Sequence, residues 1–216
     1  MPKSGQKFYD VGQSCLIGDH FATDAVRCSA VGIMRPNTII GIVTATKKAA
    51  PVRRAVIDSL STKTLTLKGT GSSLKFAVGD TVKALKNVAT AYHIAALDDG
   101  AEPVVQSQDE QDFTITTPTV FDLGTVASVD HDDNKITFTG TAPTPALADG
   151  DIVYVADGSE VAVGISTNEI NTDNDTWDDS VRYAYHGRAN ITLVNNYDAI
   201  AAADLKHISF VTKEVS

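Results

Sequence analysis

A chain of 216 residues with 43% hydrophobic content can bury one large or two small cores and is too apolar for global disorder. Its 18 Lys/Arg against 27 Asp/Glu leave a net charge of −9, which opposes binding to nucleic-acid phosphates. No apolar run approaches the roughly 20 residues that cross a bilayer, and two cysteines, Cys15 and Cys28, are too few for a disulfide framework. The opening MPKSGQKFYDVGQS lacks the apolar stretch of a signal peptide, so the expectation is a chain made in a cytoplasm that starts near Met1.

In chain order, residues 1–24 are polar and Gly-containing, with isolated apolar anchors at Phe8, Tyr9, Val11, Leu16 and Ile17. They read as an extended arm that orders on a partner. Lys47, Lys48, Arg53 and Arg54 cluster within eight positions, as a solvated loop between strands. Pro51 to Leu60 is a weak helix candidate. Thr64 to Lys68 (TLTLK) alternates polar and apolar residues, the signature of a strand with one face buried. The stretch from Ala89 to Thr119 is irregular, and its acidic run from Gln106 to Asp112 reads as an exposed loop. Lys135 to Thr139 (KITFT) alternates again. Further strands are predicted at Ile152–Val155, Val161–Ile165, Asn190–Val194 and Ile208–Thr212. Tyr197 to His207 can form one or two helical turns, with Asp198 near its start and Lys206 near its end.

A duplication is sharper than any single element. TLTLKGTGSSLKFAVGDTVKAL from Thr64 and KITFTGTAPTPALADGDIVYVA from Lys135 align without a gap at an offset of 71. Each copy reads strand, loop, Gly-Asp turn, strand, with the turns at Gly79-Asp80 and Gly150-Asp151. Glycine supplies the positive φ of a tight turn, and the aspartate can bond nearby amides. Two copies predict a pseudo-duplicated barrel or two similar lobes, because a solenoid needs at least three repeats.

Motifs for chemistry are missing. The histidines (His20, His93, His131, His186, His207) have no metal-ligand spacing, and no GxSxG, GxGxxG or phosphate-binding Gly-Lys-Ser/Thr loop occurs. Asn171, Asp173 and Asp175 alternate as in a calcium loop, but Thr176 stands where Gly is needed and Arg182 where a bidentate Glu is needed. Asp130, Asp132 and Asn134 fail similarly and join two predicted strands as a hairpin turn. Asn174 and Asn190 head Asn-x-Thr sequons. Trp177, the single tryptophan, reads as a packing residue or an interface anchor. The expectation is a protein that is not an enzyme, with no cofactor and no metal.

The C-terminal third carries a resemblance. GDIVYVADGSEVAVGISTNEI from Gly150, then YAYHGRANITLV and AIAAADLKHISFV, resembles the capsid decoration proteins of tailed phages, the head-stabilising family of phage lambda. The turn at Val155–Gly158, the strand at Val161–Ile165, the segment Gly187–Ile191 and the closing Leu205–Val211 carry the match, over about residues 150 to 213. Together with the strand pattern and the duplication, this predicts a mostly β fold of small barrel or sandwich units: an arm at 1–24, a duplicated β-barrel region at 25–149 by which the chain departs from the small family members, and a decoration-like β domain with one short helix at 150–216. The resemblance implies a virion protein on the outer capsid surface that bridges major capsid protein subunits. A homotrimer is expected, with a dimer or a monomer before docking as the alternatives, and no nucleic-acid or membrane partner. Phe8, Tyr9, Val11, Leu16 and Ile17 would then anchor the arm to capsid by strand addition. The alternative is another phage β module, such as a tail-tube or head-fibre component. A lectin-like module is poorly served by a single tryptophan.

Overall fold

The structure is a computed structural model that describes residues 14–29, 32–86, 119–173 and 180–211. It is mostly β. In chain order the strands are β1 (Leu16–Arg27), β2 (Ile33–Met34), β3 (Ile39–Ile42), β4 (Ala49–Pro51), β5 (Arg54–Ser61), β6 (Thr64–Leu67), β7 (Thr81–Lys86), β8 (Thr119–Asp130), β9 (Lys135–Phe138), β10 (Ile152–Val155), β11 (Ala162–Ser166), β12 (Ile170–Asn171), β13 (Ser180–Asn190) and β14 (Ile208–Val211). Among the described residues one short helix, α1 (Ala199–Asp204), precedes β14.

The duplicated sequence closes one barrel, in the order β10-β5-β6-β9-β8-β7. Exchanging β5, β6 and β7 for β8, β9 and β10 reproduces the same neighbours, so the barrel has an approximate twofold axis. That axis passes between β6 and β9, where Leu65 faces its own repeat-mate Ile136. Between β7 and β10, the pairs Val82↔Val155 and Ala84↔Val153 exchange with each other under the repeat. The repeat also extends beyond the visible duplication. Ile57 and Ser59 face Leu67 and Thr66 across a bulge, as Val126 and Ser128 face Phe138 and Thr137. The β8–β9 hairpin turn is two residues longer than that of β5–β6, which hides the relation from a gapless alignment. The core is built of repeat pairs: Leu65 with Ile136, Leu67 with Phe138, Phe76 with Leu147, and Val82 with Val153 all fall in one buried cluster. Alternation put these residues on one face of each strand, and closure removes the free edges.

A second sheet runs β1-β13-β11-β3-β4, with β14 parallel to β13. A bridge between Cys28 and Ala49 brings the end of β1 back to β4, so the sheet curls. One side buries Ile39, Val52, Ile165, Leu205, Ile208 and Phe210; the other buries Met34, Ile40, Ile170 and Val181. β2 and β12 form a small separate pair. The chain leaves this sheet after β4, makes the whole barrel, and returns to β11. The departure and return points touch, since the Val155 amide donates to the Arg53 carbonyl at 3.1 Å.

This pairing divides the chain differently from the expected boundaries. Residues 16–24 are part of β1 rather than of a free arm. The expected boundary at 149/150 falls just before β10, the strand that closes the barrel, while residues 25–51 belong to the sheet that holds the C-terminal strands.

Three local expectations are corrected. Pro51 to Leu60 is not helix: Pro51 ends β4 and Arg54 onward is β5, in which Ala55 and Ile57 are buried while Val56 and Asp58 are exposed, and β5 pairs on both edges, with β6 and β10. Asn190 to Val194 is not a strand. β13 ends at Asn190, whose Oδ1 accepts from the Thr192 amide at 3.0 Å and caps a 3-10 turn at Ile191–Leu193, because a short polar side chain offers the backbone an alternative to the ladder. Arg54 is not in a solvated loop; it is a buried member of β5. The predicted helix forms as α1, with Asp198 Oδ1 accepting from the Ala201 amide at 2.7 Å as an N-cap. The remaining strand expectations hold to within a residue or so, including the hairpin turn between β8 and β9. The acidic run at 106–112 lies outside the described residues.

Candidate functional site

The two Gly-Asp turns have nearly the same geometry. Gly79 and Gly150 have φ of 93° and 87°, a region that L side chains rarely adopt. Asp80 accepts from the Ala77 amide at 2.7 Å and Asp151 from the Ala148 amide at 2.8 Å. The Gly79 and Gly150 amides donate to the carbonyls of Val126 and Ile57, each in the opposite half of the barrel. Each turn thus stitches one half to the other. Asp80 pairs with Arg53 at 2.8 Å and Asp151 with Lys86 at 3.4 Å. Both aspartates are consumed by structure.

Of the predicted arm anchors, Phe8, Tyr9 and Val11 lie outside the described residues. Leu16 and Ile17 are half-buried in β1, opposite Ala189 and Arg188 of β13. The chain is pinned just before them. Cys15 is buried, its carbonyl accepts from the Asn190 amide at 2.7 Å, and its own amide donates to Asn37 Oδ1 at 3.1 Å. Burial pushes the Cys15 thiol up to about 12, so it stays protonated and unreactive at neutral pH. Beyond this pin, β1 is an edge strand. Among the described residues its only ladder partner is β13, apart from the bridge at Cys28.

The strongest internal charge cluster joins barrel to sheet. Arg54, 4% exposed, lies 3.1 Å from Asp198 and 3.8 Å from Asp204, the N-cap and the last residue of α1. Nη2 of Arg54 has no hydrogen-bond partner. Asp204 also accepts from the Ala162 amide at 2.9 Å. Burial raises its carboxyl above the ordinary range, against the lowering effect of the Ala162 amide and Arg54. Beside Arg54 opens a cleft of about 130 Å3, lined among others by Lys68, Ser72, Lys75, Asn196 and Asp198. Lys75 donates to the Arg54 carbonyl at 2.9 Å, and burial holds its ammonium below the usual lysine range.

One pairing looks like chemistry and is not. Ser73 Oγ lies 3.2 Å from His131 Nδ1, a nucleophile–base distance. Ser73 is fully buried, so no substrate can reach its hydroxyl. With Asn134 Oδ1 accepting from the Ser73 amide at 2.8 Å, the contact fastens the β8–β9 turn to the 3-10 turn Ser72–Lys75. Nothing in sequence signals it, because Ser73 and His131 belong to opposite halves of the barrel. His186 and His207 stack at 6.3 Å between β13 and β14. Among the described residues no group of His, Cys, Asp or Glu is arranged to hold a metal, and no helix is long and apolar enough to cross a membrane. The Asp-rich segment is described only through Asp173, whose amide donates to Asn171 Oδ1 at 3.0 Å; Trp177 and Asn174 lie outside the described residues. Asn190 is buried and engaged in capping, which makes it a poor glycosylation acceptor.

No known protein family, curated protein or solved structure matches this chain.

Proposed function

We propose that the chain is a non-enzymatic structural protein of a tailed-phage virion that binds the outer surface of the expanded capsid and bridges major capsid protein subunits. The observation that carries this reading is the companionship of the resembling segments that follow β10, since Ile152–Val155 itself belongs to the barrel. β11, β13, α1 and β14 lie side by side in one sheet-and-helix unit with a shared core, and β1 sits at its edge, pinned at Cys15. An edge strand with a leading segment suits strand addition, in which backbone groups give affinity and a few apolar anchors give register. On this reading Phe8, Tyr9 and Val11 are the anchors, whereas Leu16 and Ile17 hold the protein's own sheet together. The function is energetic: binding the expanded shell and not its precursor stabilises it by mass action, and many copies per particle multiply modest affinities. The barrel would stand as an addition inserted into the decoration-like unit.

Co-sedimentation with undecorated, expanded capsids of the parent phage tests this. The expected result is saturable binding at a fixed ratio to capsid subunits, lost on deletion of residues 1–13 while far-UV circular dichroism is unchanged. Full binding by the truncated chain would remove the arm from the mechanism. Absence of binding together with rings or tubes of the free protein would replace the reading with a tail-tube component.

A further inference from the structure

The pseudo-twofold barrel is nearly symmetric in backbone and strongly asymmetric in charge. Residues 54–86 hold six Lys/Arg against two Asp, net +4; residues 119–155 hold one Lys against six Asp, net −5. Interior packing does not require this, because the core pairs are apolar in both halves. The charges concentrate at two neighbouring places. Lys68 and Lys75 line the cleft beside Arg54, and the β8–β9 turn carries Asp130, Asp132 and Asp133, all exposed. The turn is fixed next to the cleft, because Asn134 Nδ2 donates to the carbonyls of Leu67 and Gly69, on either side of Lys68, at 2.6 and 2.9 Å.

We propose that this end of the barrel is a docking surface for a second copy of the chain, with the acidic β8–β9 turn of each copy seated at the Lys68/Lys75 cleft of the other. Lys68, at the exposed rim, is paired with Asp149, so the cleft's unused capacity for a carboxylate lies with Lys75. Lys75 spends one of its three donors, on the Arg54 carbonyl, and its ammonium is already partly desolvated. Behind it the buried Arg54 guanidinium has a nitrogen with no acceptor, and it adds positive potential without itself being reached. The Asp198 carboxylate that shares the cleft is engaged, one oxygen capping α1 and the other on Arg54. On the acidic side Asp133 pairs with Lys135 at 2.6 Å and Asp130 accepts from the Asp133 amide, so Asp132 is the free carboxylate at the tip. A patch that carries both signs side by side is complementary to itself about a twofold axis, which closes a dimer. Its attraction is electrostatic and weakens with salt.

Sedimentation equilibrium of the full-length protein at low and high salt, without capsids, tests this independently of the virion assignment. The expected result is a dimer at low salt whose dissociation constant rises at least tenfold in high salt. Asp132→Lys/Asp133→Lys, on an exposed turn, should give monomer at low salt, and Lys75→Glu should do the same. The triple variant that carries both changes should dimerise again, because the exchanged charges are again complementary. Should Lys75→Glu misfold, Lys68→Glu takes its place. A monomer at every salt concentration, association insensitive to salt and to charge reversal, or a triple variant that stays monomeric would each overturn the proposal.

Discussion

Arg54 is the side chain on which barrel and sheet depend most. It sits in β5, and its two carboxylate partners are the N-cap and the last residue of α1 in the other unit. Replacing it by Met leaves Asp198 and Asp204 facing each other in a partly buried site. Breaking such a pair from one side costs about 3 kcal/mol or more, so urea denaturation of Arg54→Met should show a loss of that order. Asp204 allows a finer test. Its folded carboxyl is raised above the ordinary 3.8 by burial, so its contribution to stability is fully present below that value and is lost as pH rises through the raised one. Asp204→Asn should therefore gain stability relative to wild type as pH rises from below 3.8 towards neutrality. A gain that shrinks over this interval would mean that attraction to Arg54 outweighs desolvation. The cysteines give a third test. Cys15 and Cys28 are buried, and both should resist a thiol reagent in native buffer and react fully in denaturant.

At the scale of elements, the Gly-Asp turns isolate backbone conformation from packing. A Cβ at Gly79 or Gly150 would meet nothing within 4 Å, so substitution by Ala costs only the strain of positive φ, about 1 kcal/mol in each turn. Gly41 is the opposite case: a Cβ there would run into the backbone carbonyls of Ser159 and Val161. Gly41→Ala should accordingly cost more than either turn substitution when the midpoints of denaturation are compared. The turns were readable because their chemistry is local: glycine for the dihedral, aspartate for the amide three residues earlier. The 3-10 turn after Asn190 was not, because apolar alternation in Asn190–Val194 favours a strand and only the capping contact decides otherwise. β5 was missed for a related reason. Its register is set by pairing with β6 and β10, the latter nearly a hundred residues away in sequence.

For the whole molecule, the barrel is an insertion whose ends meet. With Arg53 and Val155 joined by a hydrogen bond, replacing residues 54–155 by a short Gly/Ser linker asks little of the remaining sheet beyond the loss of the Arg54 contacts and the small Ile152–Ile200 cluster. The shortened chain should keep a β-type circular dichroism spectrum and a cooperative melt at lower temperature. A chain without a melting transition would show that the sheet needs the barrel to fold. The candidate site reads unevenly in the sequence. The proposed arm anchors are visible as apolar residues in a polar stretch. That Leu16 and Ile17 belong to the protein's own sheet rests on pairing with β13, about 170 residues on, and no local pattern carries that.

By itself the sequence determined the mostly β character, the duplicated Gly-Asp element and the capped helix before β14, because alternation, turn residues and caps act over a few positions. Only the tertiary structure decided that the two copies close a single barrel, that this barrel interrupts another sheet, and that Arg54 is buried between carboxylates. Those features depend on which distant strands share a ladder, and many pairings satisfy the same local pattern.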